Sequence, residues 1–168
     1  MMQNSTEHTF ESAISANKEA VFRICRIYAV EPLEPEDLFQ EVVFQVWKSL
    51  ESYKGNASIN TWIYRIALNV CMSSKLRYEK KKTVQLEGVS FSHAVADDED
   101  QARFEALKAC IKGLNEADKS LIVLYLEELP YSEMATILGL TENHVAVKMK
   151  RIRAKLFGCI TSKLNDYE

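Results

Sequence analysis

Apolar residues recur at helical spacing along most of the chain. The clearest stripes advance by three or four residues: Leu38, Val42, Val46 and Leu50; Ile59, Ile63, Ile66 and Val70; and Phe104, Leu107, Ile111 and Leu114. Apolar residues at these intervals form one buried face of an α-helix, whereas a half-buried strand alternates apolar and polar positions. No alternating stretch stands out in the sequence, so the pattern predicts an all-α protein.

Local signals predict where some of these helices begin. Pro35 followed by two acids is typical of a first helical turn, because proline loses no hydrogen bond there and acids face the positive end of the helix dipole. Gly55 marks a break, after which Ser58 or Asn60 can cap the next helix.

The helical period is lost in one internal stretch. Residues 83–101 carry no apolar stripe and end in an acidic run, which is typical of a flexible linker. We therefore expect two small helical domains, a bundle over residues 8–82 and a second domain over residues 102–164. Within the second domain, the segment NEADK is expected to form a turn.

The segment LPYSEMATILGLTENHVAVKMKRIRAKL, residues 129–156, predicts two short helices that cross closely. Ser132 is the expected cap of the first helix, Gly139 permits a left-handed turn, and Thr141 opens the second helix. The apolar face of the second helix consists of Val145, Met149, Ile152 and Leu156. This arrangement is the geometry of a DNA-binding helix-turn-helix.

The opposite face of this second helix is polar and basic. The residues expected to contact DNA are Asn143, His144, Val147, Lys148, Lys150, Arg151 and Arg153. The early residues of such a helix lie nearest the base edges, whereas the later lysines and arginines also reach phosphates. A helical hairpin with a solvated basic face is the alternative, and a neutral surface histidine is the simpler interpretation of His144 alone.

The charge distribution narrows the classes of function. The 168 residues carry a formal net charge of -3, yet residues 51–82 hold seven Lys or Arg against two acids. Residues 144–168 hold six against two. An acidic protein with two basic islands does not coat nucleic acid indiscriminately, but such islands can neutralise phosphates.

The sequence offers no signal for a membrane span or a metal site. No run approaches roughly 18 apolar residues and the N-terminus lacks a secretory pattern, so we expect a cytoplasmic protein without membrane insertion. The cysteines have no metal-ligand spacing and are expected to be reduced thiols: Cys25, Cys71, Cys110 and Cys159. We predict no metal, no cofactor and no catalytic residue.

Three segments, in this order, resemble the extracytoplasmic-function (ECF) group of bacterial RNA polymerase sigma factors. They are EDLFQEVVFQVWKSLESYKG, NTWIYRIALN and LPYSEMATILGLTENHVAVKMKRIRAKL, and the resemblance covers residues from about 15 to 160. It implies a promoter-melting domain, a linker and a helix-turn-helix domain. The implied function is to bind core RNA polymerase, recognise the -35 and -10 elements of promoter DNA, and promote melting.

The resemblance also implies a use for the basic segment that follows Gly55. In the family, the matching loop and helix open the duplex at the -10 element and hold a flipped base. The implied -10 contacts are Tyr53, Lys54, Gly55, Asn56, Ala57, Ser58, Arg65, Asn69, Lys75 and Arg77. Aromatic surfaces replace lost stacking, amides read base edges and cations bind the backbone. Trp62 lies beside the apolar stripe and is more simply a core residue.

An acidic segment is implied to bind the polymerase. Family members grip the clamp helices of the β′ subunit through the segment that matches residues 36–42, and the β subunit is a further implied partner. The implied polymerase-binding residues are Glu36, Asp37, Phe39, Gln40, Glu41 and Phe44. Acids with apolar neighbours suit a basic, partly apolar partner, although a solvated first turn with core packing is the alternative. Because many members are held inactive by an anti-sigma factor, such a factor is a candidate partner.

Two features depart from the family pattern. Lysines follow the -10 helix where relatives often have arginines, and Ala146 and Val147 stand where relatives often have polar base readers. We therefore expect apolar contact with thymine methyl groups or shape readout at the -35 element.

Two other functions stay open at this point. A stand-alone helix-turn-helix regulator would use its N-terminal helices as an interaction module and bind duplex DNA without polymerase. A helical hydrolase would draw on His8, His93 and His144, but no catalytic motif accompanies them.

Overall fold

The described part of the chain is built from α-helices. The structure, a computed structural model, describes residues 2–82 and 99–166. The α-helices are α1 Met2–Tyr28, α2 Pro35–Ser49, α3 Ile59–Lys82, α4 Glu99–Lys112, α5 Glu116–Leu126, α6 Tyr131–Leu138 and α7 Glu142–Asn165. These two ranges contain no strand, and the all-α prediction is confirmed.

The helices form two bundles that touch. Helices α1, α2 and α3 pack against one another as the first bundle, and α4 to α7 form the second bundle. Helix α3 also contacts α6, and α1 contacts α4. Most of the expected linker, residues 83–98, lies outside the described residues, and Glu99 already begins α4. The domain limits 8–82 and 102–164 stay predictions.

The first bundle has a continuous apolar core. Leu38, Val42 and Val46 of α2 are buried, as their spacing predicts, and they pack with Ile24 and Tyr28 of α1. Helix α2 begins at Pro35, which occupies its first turn as expected. The burial of this stripe orients the opposite face of α2 toward solvent.

Helix α3 departs from the single stripe that the sequence predicts. Ile63 is fully buried, but Ile59 and Ile66 are only half-buried. Ala67 and Leu68 are buried in their place. The reason is that α3 packs against both α1 and α2, so its buried face is wider than one row of side chains.

Two of the expected helix caps are present. The Ser58 hydroxyl accepts a hydrogen bond from the Thr61 backbone N–H at 3.2 Å, at the start of α3. The Thr141 hydroxyl accepts one from the His144 backbone N–H at 3.2 Å, at the start of α7. Each cap fixes the direction in which a helix leaves its loop.

The predicted start of α6 is wrong. The helix begins at Tyr131, and its N-cap is Pro130 rather than Ser132. The Pro130 carbonyl accepts the first hydrogen bonds of the helix, from the Glu133 and Met134 backbone N–H groups. Pro130 is extended, with ψ 154°, as an N-cap residue requires, and this leaves Ser132 inside the first turn.

Two further predictions about the second bundle need correction. Within NEADK, Asn115 caps α5 by accepting a hydrogen bond from the Asp118 N–H, so the segment is mostly the first turn of a helix. Phe104 is 59% exposed, although Ile111 and Leu114 of the same predicted stripe are buried. Phe104 lies on the first turns of α4, where the contact with the rest of the bundle does not reach it.

The helix-turn-helix forms as predicted. The four apolar residues of α7, from Val145 to Leu156, are all buried, and they pack with Met134 and Ala135 of α6. Gly139 ends α6 with φ 67°, in the left-handed region. The sharp turn at Gly139 is what allows α6 and α7 to cross within four residues.

The expectation of four reduced cysteines is wrong for one pair. Cys110 of α4 and Cys159 of α7 form a disulfide with a Cα–Cα distance of 6.1 Å. Cys25 and Cys71 are free, buried thiols with their sulfur atoms 3.9 Å apart. Packing of α4 against α7 brings Cys110 and Cys159 together, which their separation of 49 residues does not indicate.

Replacing Gly139 by alanine tests the turn. The added Cβ meets no atom within 4 Å, so the whole effect comes from the positive φ, and we expect a loss of about 1–2 kcal/mol in the free energy of unfolding. Gly158→Ala is the matched control, because Gly158 also has open space but lies inside α7, where alanine gains about 0.5–1 kcal/mol. Urea denaturation of both variants measures the difference. Equal midpoints would contradict the assigned turn.

Candidate nucleic-acid and polymerase-binding surfaces

Helix α7 presents most of the predicted -35 contacts to solvent. Asn143, His144, Lys150 and Arg151 are exposed, and Val147 is 54% exposed despite being apolar. An exposed valine in the second turn of such a helix is suited to contact a thymine methyl group. The surface thus combines an apolar contact with neighbouring cations.

Two of the predicted -35 cations have side chains that pack against other parts of the protein. The Arg153 guanidinium lies over the Tyr125 ring of α5, 5.7 Å from its centroid, and Lys148 is half-buried. A guanidinium stacked on an aromatic ring keeps its N–H donors directed outward. This contact ties Arg153 of α7 to α5.

The loop before α3 is closed by its own contacts. The Tyr53 ring packs on Trp62 with centroids 5.0 Å apart, and the Tyr53 hydroxyl donates to the Ala57 carbonyl. Gly55, at φ 72°, makes the turn between them. Trp62 is half-buried and packs on the core, as predicted. Tyr53 is therefore held at the loop rim by Trp62 and Ala57.

The predicted -10 residues Asn69 and Arg77 meet in a cleft between α2 and α3. The cleft has a volume of about 530 Å³, and two rows of polar side chains line its walls. These rows are Glu41, Gln45 and Ser49 on α2, and Asn69, Ser73 and Arg77 on α3. Half-buried Ile66 and buried Val70 add an apolar surface to the cleft. Amides, hydroxyls and an apolar surface together can hold a base that has left its stack.

Sequence reasoning missed three polar residues of this cleft, Gln45, Ser49 and Ser73, and assigned Ile66 and Val70 to the core alone. The sequence did contain a signal for these residues, because polar residues four positions apart lie on one face of a helix. Both rows advance by four residues, from Glu41 on α2 and from Asn69 on α3. The sequence did not show that the two rows face each other.

The predicted -10 cations Arg65 and Lys75 lie elsewhere, at the contact between the bundles. The Arg65 guanidinium donates to the carbonyl oxygens of Thr136 and Ile137 at the end of α6, with an Nε–O distance of 3.2 Å to Ile137. The Lys75 ammonium is 2.5 Å from a carboxylate oxygen of Glu116. The structure thus divides the predicted -10 set into a solvent-facing group and a group held by the second bundle.

Glu116 sits between two lysines at this contact. Its Oε1 atom also accepts from the Lys119 ammonium at 3.3 Å. Desolvation opposes the charge on Glu116, but Lys75 and Lys119 outweigh it and hold the pKa of Glu116 below its usual value. Burial, together with neighbouring Lys75, lowers the pKa of Lys119. One carboxylate, on a side chain that is 37% exposed, therefore serves two largely covered cations.

The same contact leaves two buried polar atoms unsatisfied. The Tyr28 hydroxyl and the Oε2 atom of Glu116 find no hydrogen-bond partner among the described residues. Burial and the nearby Glu116 carboxylate raise the pKa of Tyr28, so its phenol stays neutral. A buried polar group without a partner costs about 1–3 kcal/mol.

The predicted polymerase-binding face of α2 is largely open. Asp37, Gln40 and Phe44 share one face at steps of three and four residues, and Phe44 is 55% exposed. Glu36 is exposed in the first turn, while Glu41 is half-buried in the cleft described above.

Two aromatic residues of α2 differ in exposure from what the sequence predicts. Phe39 is half-buried against Phe22 of α1, with centroids 5.8 Å apart, so part of it belongs to the core. Sequence reasoning missed Trp47, which is 46% exposed and follows Phe44 by three residues on the same face. The Trp47 ring meets the Phe10 ring of α1 edge to face, with centroids 5.0 Å apart. The exposed face of α2 thus carries two aromatic residues and an acidic first turn.

The described residues contain no group of His, Cys, Asp or Glu that could hold a metal ion. His8 lies on α1 and His144 on α7, in different bundles, and His93 lies outside the described ranges. No helix within residues 2–82 and 99–166 is long and apolar enough to cross a membrane.

Two family models match the two bundles. Sigma-70 region 2 matches residues 13–81, and Sigma-70 region 4 matches residues 104–156. The chain belongs to the sigma-70 family. Region 2 coincides with the bundle that carries the α2–α3 cleft, and region 4 coincides with the helix-turn-helix.

Similar proteins define the group within the family. The ECF RNA polymerase sigma factor SigW of Bacillus subtilis (strain 168) is 28% identical, over 92% of this chain and 90% of that protein. The ECF RNA polymerase sigma factor SigM of the same organism is 26% identical, over 78% of this chain and 82% of that protein. The chain is an ECF sigma factor, and the predicted resemblance is confirmed.

Solved structures share the fold. The sigma factor RpoE from Bartonella quintana, in complex with the anti-sigma factor NepR, gives a TM-score of 0.72 at 17% identity, over 91% of this chain and 97% of that one. CnrH, in complex with the cytosolic domain of CnrY, gives 0.69 at 19% identity, over 93% and 90%.

Arg151 is the exposed α7 cation expected to read a base. For Arg151→Ala we expect weaker promoter binding and a loss of about 1–3 kcal/mol of discrimination at one -35 position. Lys163→Ala, in the last turn of α7, removes the same charge and is the control. Gel-shift titrations against single-base variants of the -35 element measure both. An equal loss on every sequence would contradict base reading by Arg151.

Proposed function

We propose that this ECF sigma factor directs core RNA polymerase to -35 and -10 promoter elements and helps to melt the latter. The observation that carries the proposal is the pairing, in one chain, of a basic helix-turn-helix with a polar cleft on the region 2 bundle. The helix-turn-helix suits duplex DNA and the cleft suits an unstacked base.

The -35 step is assigned to α7. Its N-terminal residues Asn143, His144 and Val147 enter the major groove, while Lys150 and Arg151 reach bases or phosphates from the next turn. Lys148 and Arg153 neutralise the backbone. The exposed apolar surface of Val147 favours thymine at one contacted position.

The -10 step is assigned to the loop at residues 53–58 and to the α2–α3 cleft. A base that leaves the duplex loses stacking, and the apolar surface of Ile66 and Val70 replaces part of it. Asn69 and Ser73 can donate to and accept from base edges, and Arg77 at the end of the row can bind a phosphate. Lys54 and Asn56 contact the strand at the loop.

The outward face of α2 is assigned to the polymerase. Exposed Phe44 and Trp47 provide apolar area, and the acidic first turn provides charge complementarity to the basic β′ clamp helices. Because Glu41 lines the cleft, this helix would face DNA on one side and polymerase on the other. The β subunit is a further expected partner of the chain.

The proposal also covers the cellular compartment and the regulation of the protein. We place the protein in the cytoplasm, with no cofactor and no covalent chemistry of its own. An anti-sigma factor is a candidate partner, since RpoE and CnrH were each solved in a complex and RpoE is bound there to an anti-sigma factor.

Run-off transcription with bacterial core polymerase and a promoter library tests this function. We expect specific transcripts only when the chain is added, and their loss in a double variant with Glu36→Lys and Asp37→Lys, because reversed charges in the exposed first turn of α2 repel the clamp helices. Glu11→Lys is the control, since Glu11 is an exposed acid of α1. If the chain shifts duplex DNA but never binds core polymerase, the stand-alone regulator is the correct function.

Asn69→Ala tests the cleft. We expect normal binding to duplex promoter DNA but poor open-complex formation, because the alanine removes an amide that holds the displaced strand. Permanganate reactivity of the -10 thymines measures melting, with Asn165→Ala at the far end of α7 as the control. Unchanged reactivity in Asn69→Ala would contradict the assignment.

A further inference from the structure

A disulfide fastens the inner face of α7 to α4 within the region 4 bundle. Cys110 of α4 is bonded to Cys159 of α7, at a separation of 49 residues in the sequence. Cys159 lies one turn after Leu156 and continues the buried stripe of α7, so the outward face with Val147 and Arg151 stays exposed. The match to region 4 ends at residue 156, before Cys159. The bond therefore uses a cysteine that lies beyond the matched family pattern.

The two bonded cysteines differ in their access to solvent. Cys110 is only 4% exposed, whereas Cys159 is half-buried. Both line a cavity of about 260 Å³, where Gly113 leaves part of the wall without a side chain. A small molecule in this cavity reaches Cys159 first, because Cys110 is almost fully covered.

Two lysines flank Cys159 along the cavity. Lys155 and Lys163 lie one turn before it and one turn after it on α7, and both are exposed. The described residues that line the cavity include no acid. Positive charges beside a cysteine favour its reactive thiolate, and they attract anions from solution. The cavity thus suits a small, negatively charged molecule that reacts with sulfur.

The other two cysteines have a different environment. Cys25 and Cys71 are fully buried free thiols of the region 2 bundle, with sulfur atoms 3.9 Å apart. The hydrogen bond to Cys25, together with burial, raises the pKa of Cys71. Because the thiolate is the reactive form, this pair is an internal control for reaction at Cys159.

We propose that Cys110 and Cys159 form a reversible thiol–disulfide exchange site for an anionic low-molecular-weight disulfide, and that the oxidised form holds α7 against α4. The proposal rests on the proposed function at one point, the cytoplasmic setting, where lasting disulfides are rare and those that form are usually transient. The bonded structure is the oxidised state of the site. The two thiols that the sequence predicts are its reduced state.

Oxidation of the site takes two exchange steps. The Cys159 thiolate attacks one sulfur of the small disulfide, whose S–S bond breaks, so that a mixed disulfide forms on Cys159 and one small thiolate leaves. The Cys110 thiol then gives its proton to water, and its sulfur attacks the Cys159 sulfur and releases the second small thiolate. The two small thiolates take up the protons that the cysteines lost. Two protein thiols are oxidised while one small disulfide is reduced, and an excess of small thiol reverses both steps.

Trapping the mixed disulfide tests the order of these steps. The full-length chain is reduced, freed of reductant and treated with oxidised glutathione, and its peptides are mapped by mass spectrometry. In Cys110→Ala we expect one glutathione on Cys159, several-fold faster than any adduct forms on Cys110 in Cys159→Ala. Equal rates at these two positions, or adducts on Cys25 or Cys71 as fast as on Cys159, would overturn the proposal.

The parent chain gives a test that needs no cysteine substitution. After the same treatment we expect it to contain the bond between Cys110 and Cys159 and to retain no glutathione. A parent chain that keeps glutathione on Cys159, or that never forms the bond, would show that Cys110 does not resolve the mixed disulfide.

Charge variants test the choice of reagent. Lys155→Gln and Lys163→Gln should each slow bond formation by oxidised glutathione more than by cystamine, a disulfide that carries two positive charges. Lys18→Gln is the matched control, because Lys18 is an exposed lysine of α1. The rates are compared at low salt, since salt screens exposed charges. Equal effects on the two reagents would contradict a site for an anionic disulfide.

Thermal melting measures the hold of the bond on α7. The oxidised parent should melt at least about 4 °C above the reduced parent, because the bond closes a long loop and constrains the unfolded chain. Cys110→Ala should melt at one temperature after both treatments. A parent chain whose melting temperature does not change on oxidation would contradict this part of the proposal.

The exchange reactions need neither polymerase nor DNA, so the two proposals fail separately. A chain that does not support promoter-specific transcription with core polymerase contradicts the sigma function. Normal transcription by a chain whose Cys159 does not exchange with oxidised glutathione contradicts only the exchange site.

Discussion

The burial of α3 between α1 and α2 is the constraint on which the rest of the structure depends. Ile63, Ala67 and Leu68 lose their exposed surface there, and the direction of every other α3 side chain follows from their placement. Once this face is fixed, Asn69 and Arg77 must point toward α2, while Arg65 and Lys75 must point toward the second bundle. One helix therefore supplies both a cleft and a contact surface.

This geometry explains why an acidic chain carries a basic helix. Three of its cations, Arg65, Lys75 and Arg77, lie in two different environments. Arg77 lines a cleft that is open to solvent, whereas Arg65 and Lys75 meet carbonyls and a carboxylate of the region 4 bundle. A cation that can bind either a protein carboxylate or a phosphate links the arrangement of the bundles to DNA.

Much of the helix-turn-helix could be predicted from the sequence because its determinants are local. The Thr141 cap, the left-handed Gly139 and the buried stripe of α7 all depend on residues a few positions apart. The N-cap residue of α6 could not be predicted from the sequence in this way, because Pro130 and Ser132 both fit the start of a helix.

Features that depend on tertiary packing could not be predicted from the sequence. The facing rows that include Gln45 and Ser73, and the pairing of Cys110 with Cys159, require knowledge of which helices meet. The exposed face of α2 was only partly predicted, because Phe39 and Trp47 differ in burial although both are apolar. Family resemblance supplied the functional order of the segments, and the structure adds the surfaces on which they lie.

The central claim is that the α2–α3 cleft receives the displaced -10 strand. A benzoylphenylalanine cross-linker in place of Ser73, on the cleft wall, tests it most directly in a complex of the chain, core polymerase and promoter DNA. The account predicts that ultraviolet light joins this position to the non-template strand within the -10 element. Cross-linking to a polymerase subunit instead, with no -10 product, would contradict it.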